Sequence, residues 1–250
     1  MRSEQKAYVK PKGRARILVA LDVPLLDEAA AIARELSAEV GGFKVGLELL
    51  TQEGSLRVVE LLRRFDRPLF YDGKFNDIPR TCGQAAAAVS RLGVWMFDVH
   101  ASAGSAALRE AAANRGDALV VAVTVLTSLD SRETRELFGT ETTRKVLQFA
   151  QLAARNQIDG VVCAPTDLLT IKEDREASTL LTVVPGIRPT WAATGDQVRI
   201  ATPSGAVGAG ADYLVIGRPI LQPPPGIGGR REAARRIVEE IEEAERGLTL

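Results

Sequence analysis

Short apolar runs and longer amphipathic stretches take turns along this chain, and the cycle repeats eight times. The runs that read as strands span residues 16–21, 42–46, 68–72, 95–100, 119–124, 160–163, 180–184 and 213–216. Between them lie Ala- and Leu-rich segments with charges at helical spacing, such as 26–39 and 142–156. Regular strand–helix alternation predicts βαβ units and a parallel sheet. Eight units in 250 residues is the arithmetic of a closed (β/α)8 TIM barrel. One such domain is expected over residues 1–250, with 1–15 a polar N-terminal extension. An open doubly wound sheet is the rival, and the lack of a GxGxxG after the first run counts against it.

Two segments break the rhythm. Residues 185–197 (PGIRPTWAATGDQ) form a long Pro-, Gly- and Thr-rich stretch, the composition of a lid or binding loop. Residues 221–229 (LQPPPGIGG) are a turn-rich link to a last helix over 230–246. Composition narrows the partners. The formal net charge is zero, which gives no support to nucleic acid or an acidic membrane surface. Cys82 and Cys163 are the only cysteines and lie far apart, so no disulfide framework is expected and a reducing compartment fits. A single histidine, His100, excludes a multi-histidine site within one chain. The first residues lack an apolar leader core and no run is long enough to span a bilayer. A soluble, cytoplasmic protein is the expectation.

Function in a parallel α/β barrel sits at the C-terminal strand ends, and charges of both signs collect there. Asp22 ends the first run, Lys44 lies in the second, Asp72 and Lys74 end the third, and Asp77 follows in the turn before Ile78-Pro79. Pro79 suits the first position of a helix. Asp72 and Lys74 are two apart, so on a strand they point the same way. An inward acid and base are costly unless paired. Structural ion pairs would leave the same pattern, but five such charges on three successive strands favour a working site. A nucleophilic lysine needs a lowered pKa. Lys74 instead has Asp72 and Asp77 as neighbours, so it acts as an ammonium: a proton donor and a partner to a developing carbanion. Asp72 would press against a substrate carboxylate, and loss of that group as CO2 relieves the repulsion. Decarboxylation without a cofactor is the chemistry this spacing suits.

The far rim reads as an anion site. The last run ends in Gly217-Arg218-Pro219-Ile220, where barrels bind phosphate, and Arg188 and Gln197 of the long loop could fold over the same group. A solvated surface arginine is the plain alternative for each. Thr124, Thr127 and Ser128 follow the fifth run and offer hydroxyls to a polar ring edge or simply to a turn. His100 reads as a packed or supporting residue rather than a catalyst. Both cysteines read as small buried hydrophobes. Trp95 opens a core strand, and Trp191 sits in the long loop.

The stretch DGKFNDIPRT at residues 72–81 resembles the signature of the orotidine 5′-phosphate decarboxylase family, Asp-x-Lys-Phe-x-Asp-Ile-Pro-x-Thr. The resemblance continues through ALD, FKVGLEL, FDVHASAG, VTVLTS, GVVCAP, PGIRP, GDQVRI-TP and GADYLVIGRPI in the family's order. It implies a (β/α)8 barrel that converts orotidine monophosphate to uridine monophosphate and CO2, with neither metal nor organic cofactor. By resemblance Lys74 is the proton donor to C6 and Asp72 stands beside the leaving carboxylate. Lys44 and Asp77 complete the charged network, and Asp22 contacts the ribose. Thr127 contacts the pyrimidine edge, while Arg188, Gln197, Gly217 and Arg218 hold the phosphate. Ile78 and Thr81 are carried over as substrate contacts from the same signature. The family places the Asp77 equivalent in its partner's site, which implies a homodimer with shared active sites. Gly73, Asn76 and Arg80 depart from the usual Leu, His and Asn. Gly73 should face away from the mouth by strand alternation, so the departure touches packing. A magnesium-dependent sugar-phosphate decarboxylase of the same fold and a non-catalytic nucleotide-binding protein remain as alternatives.

Overall fold

The computed structural model describes residues 10–193 and 199–248. Its strands are β1 (Ile17–Ala20), β2 (Gly42–Val45), β3 (Leu69–Phe75), β4 (Met96–His100), β5 (Leu119–Val123), β6 (Gly160–Val162), β7 (Leu181–Val184) and β8 (Tyr213–Ile216). All pair in parallel in sequence order, and β8 closes onto β1, so the sheet is a barrel. The runs are apolar throughout because both faces of each strand are covered. Ile17 and Val19 face the helices, while Leu18 and Ala20 face the barrel axis. The interior is filled by Leu18, Ala20, Phe70, Met96, Val121, Val183, Tyr213 and Val215, a solid plug rather than a pore. Trp95 meets Tyr213 edge-on at 5.1 Å below it.

Helices follow the strands where the amphipathic spacing places them, with shifted ends. The segment expected over 26–39 stops at Leu26–Leu36, and that expected over 142–156 runs Thr142–Arg155. The last helix spans Arg230–Gly247. After β2 the chain makes two short helices, Leu47–Glu53 and Ser55–Leu62, divided at Gly54, whose φ of 79° a side chain would resist. Pro79 opens the helix Pro79–Arg91, as its fixed φ suits. Most strand ends also shift by a residue, and two of the differences have structural consequences. Arg16 is not in β1 but closes a 3-10 turn, Gly13–Arg16, that plugs the floor: its guanidinium donates to the Ala211 and Asp212 carbonyls and pairs with Glu245. The structured floor therefore begins at Gly13, inside the stretch expected to be a polar extension. β3 runs on to Phe75 instead of ending at Asp72, because its register with β4 shifts between Tyr71 and Phe75.

Strand register positions the site. Ala20, Lys44, Phe70 and Met96 are successive partners across β1 to β4. Two residues farther along the same face come Asp22, Asp72 and Asp98. The inward parity that fills the plug therefore carries charges just above it.

Close strand approach constrains the small residues. A Cβ on Gly160 would lie 2.6 Å from both Cβ and the carbonyl oxygen of Leu181 on β7. Gly160→Ala is expected to destabilise the barrel by about 1–3 kcal/mol through overpacking. Gly208→Ala, at the end of helix Pro203–Gly208 with open space around it, should be neutral or stabilise by up to about 1 kcal/mol. Urea unfolding of both variants checks the contrast, and equal effects would contradict it.

Candidate active site

Above the plug, five charges alternate in sign. Lys44 Nζ lies 3.0 Å from Asp22 Oδ1 and 3.0 Å from Asp72 Oδ2. Asp72 Oδ1 pairs with Lys74 Nζ, and Lys74 Nζ lies 3.1 Å from Asp98 Oδ2. Asp98 is fully buried, and its other oxygen accepts the Lys74 backbone N–H at 2.8 Å. Each ammonium thus stands between two carboxylates.

Local backbone makes this possible. Lys74 has φ of 53°, the left-handed region that a non-glycine residue seldom occupies. It lies in the register shift of β3, where such an irregularity re-aims a side chain. The bond to Asp98 holds it there. Simple alternation put Asp72 and Lys74 on one face; the bulge brings their charged groups into contact. Gly73 fits the same device: a Cβ there would meet Tyr71 Cε1 at 2.4 Å and Phe75 Cε1 at 3.1 Å. Its missing side chain leaves room for those rings outside the barrel, so Gly73 faces away from the mouth. Gly46 is needed for a related reason, since its Cβ would come within 3.0 Å of Lys44 Nζ.

The network faces a cavity of about 600 Å³. Asp22, Lys44, Asp72 and Lys74 line it, Phe70, Val123, Val125, Val162 and Val215 give apolar walls, and Thr127 lines it as well. Arg188, Gly217 and Arg218 belong to the same lining, and a Cβ on Gly217 would lie 3.9 Å from Asp22 Oδ2. A methyl on Gly217 would meet no protein atom closer than 3.6 Å, so the absent side chain keeps cavity space clear. Arg188 is buried at the base of the long loop, where its backbone N–H donates to Ala201.

Not every expected residue is brought together within the chain. Asp77, Ile78 and Thr81 are exposed at the start of helix Pro79–Arg91 and do not line the cavity. The Asp77 carboxylate accepts the Ile78 N–H instead. Gln197 lies outside the described residues. Thr124 is removed from the candidates for a ring contact: it is buried, and its hydroxyl donates to the Val162 carbonyl at 2.8 Å. Ser128 is exposed and does not line the cavity. Trp191 packs against the core rather than standing free in the loop. Cys82 and Cys163 are both buried, as expected, and Cys163 lines the cavity wall. Burial pushes both thiols upward, so neither is a ready nucleophile.

Asp98 is the residue that sequence reasoning missed. It sits in a run, MFDVH, whose other members suit a buried strand. The usable signal was parity, because Asp98 shares the face of Met96 and His100.

A barrel with an acid–base network at the C-terminal mouth and two arginines lining the same cavity belongs to the class of barrel enzymes that act on anionic substrates. The chain belongs to the orotidine 5′-phosphate decarboxylase / HUMPS family, whose model matches residues 15–237. It is 42% identical to orotidine 5′-phosphate decarboxylase of Heliobacterium modesticaldum over 93% of this chain and 98% of that one. The enzyme of Halorhodospira halophila is 46% identical over 83% of this chain and 89% of its own. The crystal structure of orotidine 5′-phosphate decarboxylase from Lactobacillus acidophilus superposes with a TM-score of 0.75 at 28% identity, covering 90% of this chain and 98% of that one.

His100 reports on the network. Burial, and then the Lys74 charge, hold its pKa below the ordinary histidine value. A proton therefore binds the unfolded chain more readily, so stability is full above about pH 6.5 and declines as pH falls through that value. Because His100 is the only histidine, one imidazole resonance suffices. Its NMR titration should have a midpoint below about 6.5, moving up in Lys74→Ala. A midpoint that ignores Lys74 would contradict the arrangement.

Proposed function

We propose that this chain decarboxylates orotidine 5′-monophosphate to uridine 5′-monophosphate and CO2, the step that completes pyrimidine nucleotide synthesis. The observation that carries the reading is the contact of the Lys74 ammonium with Asp72 in the cavity lining, in a chain whose relatives carry that name over nearly their whole length. In the proposed pose Arg188, Gly217 and Arg218 hold the phosphate, with Gln197 added from the long loop. Asp22 and Lys44 hold the ribose, and Thr127 meets the pyrimidine edge. The substrate carboxylate then lies against Asp72.

The chemistry follows from charge. Two carboxylates face each other, and breaking the C6–carboxylate bond removes one as neutral CO2. The bonding electron pair stays on C6, in the ring plane, where the π system does not delocalise it. Lys74 stabilises that carbanion electrostatically and delivers its proton to C6, and the amine regains a proton from solvent. Apolar walls keep water from weakening the interaction. Lysines already stand between the carboxylates that a divalent cation would otherwise bridge, which supports a metal-free reaction.

The exposed Asp77, Ile78 and Thr81 support a second element of the proposal. Ile78 is 66% exposed, unusual for a large apolar side chain beside a mouth. A homodimer would cover this edge and carry Asp77, Ile78 and Thr81 to the neighbouring active site. The cytoplasm suits such an enzyme, with its two free buried cysteines.

With EDTA present, purified protein should convert orotidine monophosphate, followed by its ultraviolet absorbance. Lys74→Ala should lower kcat by about 10²–10⁴-fold or more. Uridine monophosphate binding without turnover would instead indicate a non-catalytic protein, and a magnesium requirement would indicate the sugar-phosphate branch. Arg218→Ala should reduce kcat/KM by about ten- to a hundredfold, from loss of a charged contact of about 1.5–3 kcal/mol. The same variant should leave the phosphate-free nucleoside orotidine unaffected. An unchanged efficiency on the phosphorylated substrate would remove Arg218 from the phosphate site.

A further inference from the structure

Part of the cavity wall comes from the loops after β5, β6 and β7, and one side chain joins all three. Arg199 lies at the returning end of the loop after β7. Its Nη1 donates to both Asp167 oxygens at 2.9 Å, and Asp167 belongs to the turn after β6. Its Nη2 donates to the Val125 carbonyl at 3.3 Å and the Leu126 carbonyl at 3.1 Å, in the loop after β5. The pair is largely out of water, with side chains 14% and 4% exposed.

Each end of this clamp adjoins a group of the cavity. Val125 and Leu126 line the wall and lead directly to Thr127. On the β7 side, Ala201 is two residues beyond Arg199, and its carbonyl accepts the Arg188 N–H at 2.8 Å. Ala201 N–H in turn donates to the Gly186 carbonyl, so both strands of the loop base are joined. Asp167 is itself fixed, since Oδ2 also accepts the Ala164 N–H at 3.0 Å beside cavity-lining Cys163. Burial pushes the Asp167 carboxyl upward and Arg199 opposes that, so the carboxylate depends on its partner. The planar guanidinium, with donors in fixed directions, can satisfy a carboxylate and two carbonyls at once, which an ammonium cannot.

We propose that Arg199 and Asp167 are positioning residues that hold Thr127 and Arg188, two members of one cavity lining, in a fixed relation, so that the ring and phosphate of one substrate are gripped together. The inference rests on the function proposed above. Neither residue touches the substrate. Their contribution is to remove loop freedom that binding would otherwise have to freeze, and positioning of this kind acts on KM and on kcat/KM.

The test compares kcat and KM for orotidine monophosphate in wild type, Arg199→Gln, Arg199→Lys and Asp167→Asn, at a temperature well below each Tm. Arg199→Gln and Asp167→Asn should each lower kcat/KM by about ten- to a hundredfold, chiefly through KM. Arg199→Lys keeps the ion pair but cannot reach both carbonyls, so it should fold and fall between. The deciding measurement repeats Arg199→Gln, or Arg199→Lys if the former does not fold, in a Thr127→Ala/Arg188→Ala background. A positioning role predicts that the loss shrinks to under about threefold there, because the groups being positioned are gone. A loss of full size in that background, or a lowered Tm with unchanged kcat/KM, would overturn the proposal. Absence of turnover in wild type would defeat the proposed function instead, and the two failures are thereby distinguished.

Discussion

Five charges must stay beside one another, and from Lys44 through Asp72 to Asp98 they do so where water is scarce; most of the local structure serves that requirement. A lone carboxylate as deeply buried as Asp98 would be very costly. Strict alternation from Asp22 through Lys44, Asp72 and Lys74 to Asp98 gives each charge an opposite neighbour. Buried pairs of this kind contribute little net stability, since desolvation offsets much of the attraction, yet removal of one member strands the next. The network is therefore best understood as a preorganised electrostatic environment. Its left-handed residue, Lys74, is strained in the manner expected of a working site.

The barrel supplies the rigidity. Apolar side chains on the inward face lock into a plug below the charges, and the parallel register leaves each strand little freedom to slide. Lys44 lies in the row of Ala20, Phe70 and Met96, one level below the carboxylates, and its long side chain reaches up between two of them. Gly46 leaves the space into which that ammonium fits. The β3 irregularity that brings Lys74 against Asp72 is held by the Lys74 N–H donated to Asp98 on the neighbouring strand, so β3 and β4 together define the position of Lys74.

The arginines of the lining follow different physics. Arg188 stands on the loop after β7 and Arg218 opens the short helix Arg218–Leu221 after β8, so neither is fixed by a strand ladder. Side-chain bonds do that work instead. The buried Arg199–Asp167 pair ties the β5, β6 and β7 loops, and paired backbone bonds around Ala201 join the loop base. The charged network and the tethered arginines then line one cavity with apolar walls.

The amino-acid sequence by itself determined the closed eight-stranded barrel, because apolar period and loop spacing are local properties that the chain carries openly. It also determined the rim positions of Asp22, Lys44, Asp72, Lys74, Gly217 and Arg218, since strand ends in a parallel barrel share one mouth. Asp98 was hidden because a single acid in an apolar run has no local pattern, and only β3–β4 register shows that it faces Lys74. Thr124 and Thr127 are alike in sequence, yet sheet pairing turned the Thr124 hydroxyl onto a carbonyl while Thr127 reached the cavity. Arg199 and Asp167 are 32 residues apart, so their union exists only once β6 and β7 are side by side. Tertiary structure decided these matters because each depends on which side chains meet across strands and loops, and local sequence has no access to that distance.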